Sequence, residues 1–78
     1  MKILVRNLSR TTKQQELYVL FTAFGSVTDC SLVLDKETGE SKGFGFLEMP
    51  NQQEALDAIK KLNGSVFAKS KIRVKVAE

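Results

Sequence analysis

Between residues 42 and 49 the chain reads KGFGFLEM, and as a β-strand this stretch has only one workable orientation. Side chains two apart share a face of a strand. One face therefore carries Phe44, Phe46 and Glu48, and the other carries Gly43, Gly45, Leu47 and Met49. Two phenylalanines in a strand ordinarily argue for the core. Here, turning the rings inward would take Glu48 in unpaired and push Leu47 and Met49 out, which is costly. The strand is predicted to bury Gly45, Leu47 and Met49 and to hold both rings outward.

The flanking segments supply the rest of the fold. KILVR, at residues 2–6, is a short β-type run. Thr12 reads as an N-cap with Gln15 as its capping-box partner, and Leu17, Leu20, Phe21 and Phe24 follow at i, i+3, i+4 and i+7 of a helix that Gly25 ends. A second strand is predicted over 27–34, with Val27, Cys30, Leu32 and Leu34 inward. Its phase slips between Val27 and Cys30, which calls for a bulge or a late start. DKETGESKG is a polar turn in which Gly39 can take a positive φ. Pro50 stops the third strand. Asn51 caps a second helix, with Glu54 three residues on, and Ala55, Ala58, Ile59 and Leu62 form its apolar face up to Gly64. The last strand, KIRVKVA, alternates Ile72, Val74 and Val76 with Lys71, Arg73 and Lys75.

The order is βαββαβ, one domain over residues 1–78: an α+β sandwich of ferredoxin-like type, with a four-stranded antiparallel sheet. Right-handed crossovers put both apolar helix faces on the same side of that sheet. A chain of 78 residues is short for a self-sufficient core. One cysteine and no histidine exclude an internal disulfide, a zinc site of the usual Cys/His type and histidine acid–base catalysis. No metal or cofactor is expected, and no reaction suggests itself. The longest apolar run, residues 17–21, is too short to cross a membrane. The absence of an apolar leader and the lone cysteine predict a reducing compartment, the cytoplasm.

With both helices on one side, the other face of the sheet is bare. Phe44, Phe46, Glu48 and Leu4 fall on it. Lys2, Arg6, Lys42, Lys71, Arg73 and Lys75 fall on it or at its rim, half of the twelve Lys and Arg residues. Rings among cations suit a flexible polyanion that carries flat apolar groups, which is single-stranded nucleic acid. Bases stack on rings for about 1–3 kcal/mol each, while Lys and Arg meet phosphates. Gly43 and Gly45 would permit close backbone approach and leave the rings uncrowded.

KGFGFLEM also resembles the RNP1 signature of the RNA recognition motif, K/R-G-F/Y-G/A-F-V-x-F/Y, with Leu47 for valine and Met49 for the final aromatic. Residues 3–8, ILVRNL, resemble the companion RNP2 stretch. The element order and Asn63-Gly64 after the second helix agree. The resemblance covers essentially the whole chain, which is also similar to the stand-alone, single-motif RNA-binding proteins of bacteria. It implies the sheet order fourth-first-third-second, a base stacked on Phe46, riboses against Phe44 and a phosphate on Lys42. It implies single-stranded RNA as partner, single-stranded DNA being the other strand that fits. A monomer is expected, with the exposed strand edges leaving a dimer as the alternative. Two positions depart from the family pattern. Leu4 stands where RNP2 usually carries a stacking aromatic, which predicts micromolar rather than nanomolar binding. Lys69-Ser70 replaces the usual Gly-Arg/Lys before the last strand.

Other signals are weaker. GESKGFG lacks both common nucleotide-loop patterns. Cys30 reads as a small buried apolar residue. Glu48 could accept from a base amino group, or pair with Arg6 or Arg73. Asp35, Glu37, Glu40, Lys60 and Lys61 read as solvated, and Tyr18 and Leu56 as flank packing. A protein-interaction module on the same fold is the alternative function, disfavoured by the nearly intact RNP1. A catalytic domain resembling the acylphosphatases would rest on Asn7 and Arg10 alone.

Overall fold

The expected order is found, with one addition. In a computed structural model, which describes residues 1–77, strand β1 (Lys2–Arg6) leads to helix α1 (Gln14–Thr22) and strands β2 (Asp29–Leu34) and β3 (Ser41–Glu48). Helix α2 (Gln52–Leu62) then precedes a two-strand hairpin, β4 (Val66–Phe67) and β5 (Ser70–Lys71), and the last strand β6 (Arg73–Val76). The main sheet runs β2-β3-β1-β6, antiparallel throughout.

The core lies between this sheet and the helices. Ile3 and Val5 of β1, Leu47 of β3, Met49 just beyond it, and Val74 of β6 are buried on one side, against Leu17 and Phe21 of α1 and Ala55, Ala58 and Leu62 of α2. Burying a large aliphatic or aromatic side chain is worth about 1.5–3 kcal/mol. This layer is what holds a chain without disulfides together. Gly45 belongs to it for a spatial reason: a Cβ there would lie 2.5 Å from the Ser31 carbonyl oxygen. The backbone that approaches Gly45 is the protein's own neighbouring strand.

Several local details differ from expectation. Thr12 is not the N-cap of α1; Lys13 is, and its N–H donates to Glu16 Oε1 at 2.9 Å. A turn in which the Thr12 N–H donates to the Ser9 carbonyl at 3.0 Å draws Thr12 into the interior. There its hydroxyl is buried with no partner among the described residues. Asn51 does cap α2, accepting from the Glu54 N–H at 3.1 Å. The Glu54 carboxylate reaches away from its own helix, accepting from the Ser26 N–H at 3.2 Å and lying over Gly25. A side chain at Gly25 would collide with it, so that glycine supplies room for Glu54 and stands two residues beyond the α1 C-cap, Ala23. Gly64 directly follows the α2 C-cap and takes a φ of +83°, as a C′ glycine should.

Strand β2 starts late, at Asp29, and its register shifts between Leu32 and Leu34, which leaves Leu34 exposed. Tyr18 and Leu56 are 42% and 45% exposed, so neither is tucked against its helix flank. The β4–β5 hairpin turns through Ala68 and Lys69, both with positive φ (51° and 66°). Two such residues make the tight turn that matches strand twist, a turn normally built with Asn-Gly. Phe67 packs from this hairpin onto the core, and an open groove between it and α1 is lined by Val19 and Leu20.

Candidate nucleic-acid interface

The central strands β3 and β1 carry the face that the helices leave uncovered. Register sets its rows. Ser31, Phe46, Leu4 and Lys75 stand side by side across β2, β3, β1 and β6. One row toward the β3 C-terminus stand Asp29, Glu48 and Lys2, and toward the other end Arg6 faces Arg73. The alternation that buries Ile3, Val5, Leu47 and Val74 therefore brings Lys2, Leu4, Arg6, Phe46, Glu48, Arg73 and Lys75 together.

The rings are partly buried rather than free-standing. Phe44 and Phe46 meet edge to face, with centroids 6.3 Å apart and planes at 86°. The Lys2 ammonium lies 5.0 Å from the Phe46 centroid, over the ring face. Edge-to-face and cation–ring contacts both suit the charge distribution of an aromatic ring. They fix the ring's attitude, and a group that stacks on that face must take the place of the Lys2 ammonium.

Charge divides this face along the strands. Glu48 lies 3.5 Å from the Met1 ammonium, and pairs with neither Arg6 nor Arg73. Those two arginines, directly opposite each other, have no salt bridge among the described residues. Like charges in such a cross-strand pair are destabilising. Lys42, exposed at the start of β3, lines a cleft of about 370 Å³ with Arg10, Thr38, Ser41 and Phe44. Asp35 sits in the same cleft. The Glu37 and Thr38 N–H groups donate to its Oδ1 at 2.8 and 3.4 Å and hold its carboxyl below the usual range, helped by Lys42 and Arg10.

Lys71 departs from the expected set. It pairs with Val66 in the hairpin, outside the four-stranded sheet, and its stem runs past Gly64. Its carbonyl accepts from Asn7 Nδ2 at 2.6 Å, which ties the loop after β1 to the hairpin. Ser31 was missed, although an inward Cys30 already implied that its neighbour faces outward. From sequence Arg10 is no more than a thin catalytic signal. Its place beside Lys42 depends on two loops meeting, which no local pattern reports.

A face built this way, on this topology, has known counterparts. The family profile described as RNA recognition motif matches residues 3–73. The chain belongs to the RNA recognition motif family. Membership places it among binding domains rather than enzymes. The glycine-rich RNA-binding protein 4, mitochondrial, of Arabidopsis thaliana is 40% identical over 76 residues, covering 97% of this chain and 56% of that protein. The chloroplastic 28 kDa ribonucleoprotein of Spinacia oleracea is 39% identical over 77 residues, 99% of this chain and 33% of that protein. The chain thus spans about half or less of these relatives. Among solved structures, that of RNA binding protein PG1 superposes with a TM-score of 0.95 at 39% identity, covering 99% of this chain and 93% of that one. The Sxl-lethal protein/RNA complex gives 0.92 at 31% identity, covering 99% of this chain and 46% of that one.

Proposed function

We propose that this domain binds single-stranded RNA across the open sheet face, as a monomer. Bases would stack on Phe46 and lie against Leu4, and riboses would rest on Phe44. Arg6, Arg73, Lys75 and Lys42 would receive phosphates, so that about two to four nucleotides are held. The observation that carries this reading is the pairing of Arg6 with Arg73. A protein that places two cations opposite each other beside two accessible rings has a surface suited to a polyanion with flat groups. Family membership supports the same reading, since relatives are named as RNA-binding proteins and one structural neighbour is an RNA complex. Lys71 contributes from the rim, through the hairpin.

The test is fluorescence anisotropy with short labelled RNAs, one homopolymer per base and a random pool, beside the double variant Phe44→Ala/Phe46→Ala. Micromolar binding that disappears in the folded variant supports the face. Binding that survives it moves the RNA elsewhere. No binding by either protein, both folded, favours protein contact through the groove of Val19, Leu20 and Phe67.

A further inference from the structure

Beside Phe46 the face is hollowed into a recess of about 140 Å³, bounded by Lys2, Asp29, Ser31, Glu48 and the ring itself. Its edge is set by register: Ser31 is directly opposite Phe46, and Asp29 directly opposite Glu48. A base lying on the ring would present one edge to this recess. Resting on the RNA-binding reading above, we infer that the base held on Phe46 carries an exocyclic amino group, and that uracil is disfavoured there.

Donors and acceptors decide which base this edge fits. Ionised Asp29 and Glu48 can only accept hydrogen bonds, and the Ser31 hydroxyl can do either. Asp29 has no ion pair among the described residues, while Glu48 meets the Met1 ammonium through one oxygen, Oε1. Two carboxylates opposite each other leave an acceptor-rich edge beside an aromatic platform. Cytosine offers its N4 amino group to such an edge, adenine its N6 and guanine its N2. Uracil turns two carbonyl oxygens and a single N–H toward it, so acceptors face acceptors. Lys2 could offset this by donating to a uracil carbonyl, but its ammonium lies over the ring, where a stacking base must displace it.

Cytidine and uridine homopolymers make the cleanest comparison, because the two bases have one ring each and differ at the edge in question. Anisotropy titrations of the intact chain should show oligocytidine binding about tenfold tighter than oligouridine, the order of one hydrogen bond to a charged acceptor. In Asp29→Asn/Glu48→Gln, whose amides donate as well as accept, the preference should shrink to about twofold or less, with oligouridine binding gaining. A circular dichroism melt confirms that the variant is folded. Equal or reversed preference in the unaltered chain overturns this inference and leaves RNA binding standing. A tenfold preference that persists in the folded variant overturns it too, since other groups then read the base. Failure of both homopolymers, with the random pool also unbound, removes the reading of the face and this inference with it.

Discussion

Replacing Phe46 by alanine separates the ring's contacts within the fold from the stacking role proposed for it. In the free domain the substitution removes an edge-to-face contact with Phe44, worth about 0.5–1.5 kcal/mol. It also removes the Lys2 cation from its ring, worth about 0.5–1 kcal/mol at an exposed site. The sum is about 1–2.5 kcal/mol. For a domain of this size each kcal/mol moves the melting temperature by about 4–8 °C, so a fall of about 4–20 °C is expected. RNA affinity should fall through the loss of one stacking platform, about 1–3 kcal/mol or 5- to 150-fold. The lower part of that range is expected, because the wild-type ring already holds Lys2 and a base gains only the difference. Leu47→Ala is the control: one residue along β3, on the buried face, it should cost about 2–5 kcal/mol of stability. Its effect on binding should vanish once the unfolded fraction is subtracted. Thermal melts by circular dichroism and anisotropy in one buffer, well below both midpoints, give the two numbers. An affinity within twofold of wild type would refute the stacking role, and a loss of stability as large as that of Leu47→Ala would refute the outward ring.

Further outcomes are expected at the hairpin, the cationic surface and the core thiol. Lys69→Gly should raise the melting temperature by about 2–8 °C, since a left-handed φ strains any residue but glycine by about 1–2 kcal/mol and glycine's extra freedom when unfolded returns about half of that. An unchanged or lower midpoint would mean the hairpin turn is not strained at Lys69. If about two to four phosphates are contacted, log K against log[salt] should slope at roughly −1.4 to −2.8, and a flat plot would remove the cations from the binding surface. Burial, then the nearby Asp29 charge, pushes the Cys30 thiol from 9.0 up to about 11. The fold thus keeps a proton that the unfolded chain releases. The contribution is fully present below about pH 9 and is lost as pH rises toward about 11, so urea midpoints should drop across that window. Iodoacetamide should accordingly label the folded domain far more slowly than the urea-unfolded chain at pH about 9, and equal rates would place Cys30 in solvent.

Much of this architecture was readable because two periods ran unbroken through the sequence. Ile3 and Val5, Leu47 and Met49, and Ile72 and Val74 kept the spacing of strands, and Ala55, Ala58, Ile59 and Leu62 that of a helix. Asn51 announced its helix because its carboxamide accepts from the Glu54 N–H three residues on, a partner that local sequence specifies. Thr12 failed as a cap because a turn with Ser9 claims its backbone first, and Gly25 was misread because its reason lies in Glu54, far along the chain. The β4–β5 hairpin was invisible since Ala68-Lys69 carries none of the usual turn chemistry. That omission also put Lys71 in the wrong strand. At the site, membership of the face followed from alternation alone. The neighbours of each ring, Ser31 and Asp29 for Phe46 and Arg10 near Phe44, required the pairing of β2 with β3 and the meeting of two loops.

Arg6 and Arg73 leave the unliganded domain working against its own charge. Added salt screens that repulsion, so the free domain should grow more heat-resistant as ionic strength rises, while the complex weakens under the same change. The two trends oppose each other in a single tube. A polyanion that settles between the arginines relieves a conflict that folding alone leaves in place. The melting temperature therefore becomes a gauge of occupancy, and its ligand-induced rise should be largest where salt is lowest.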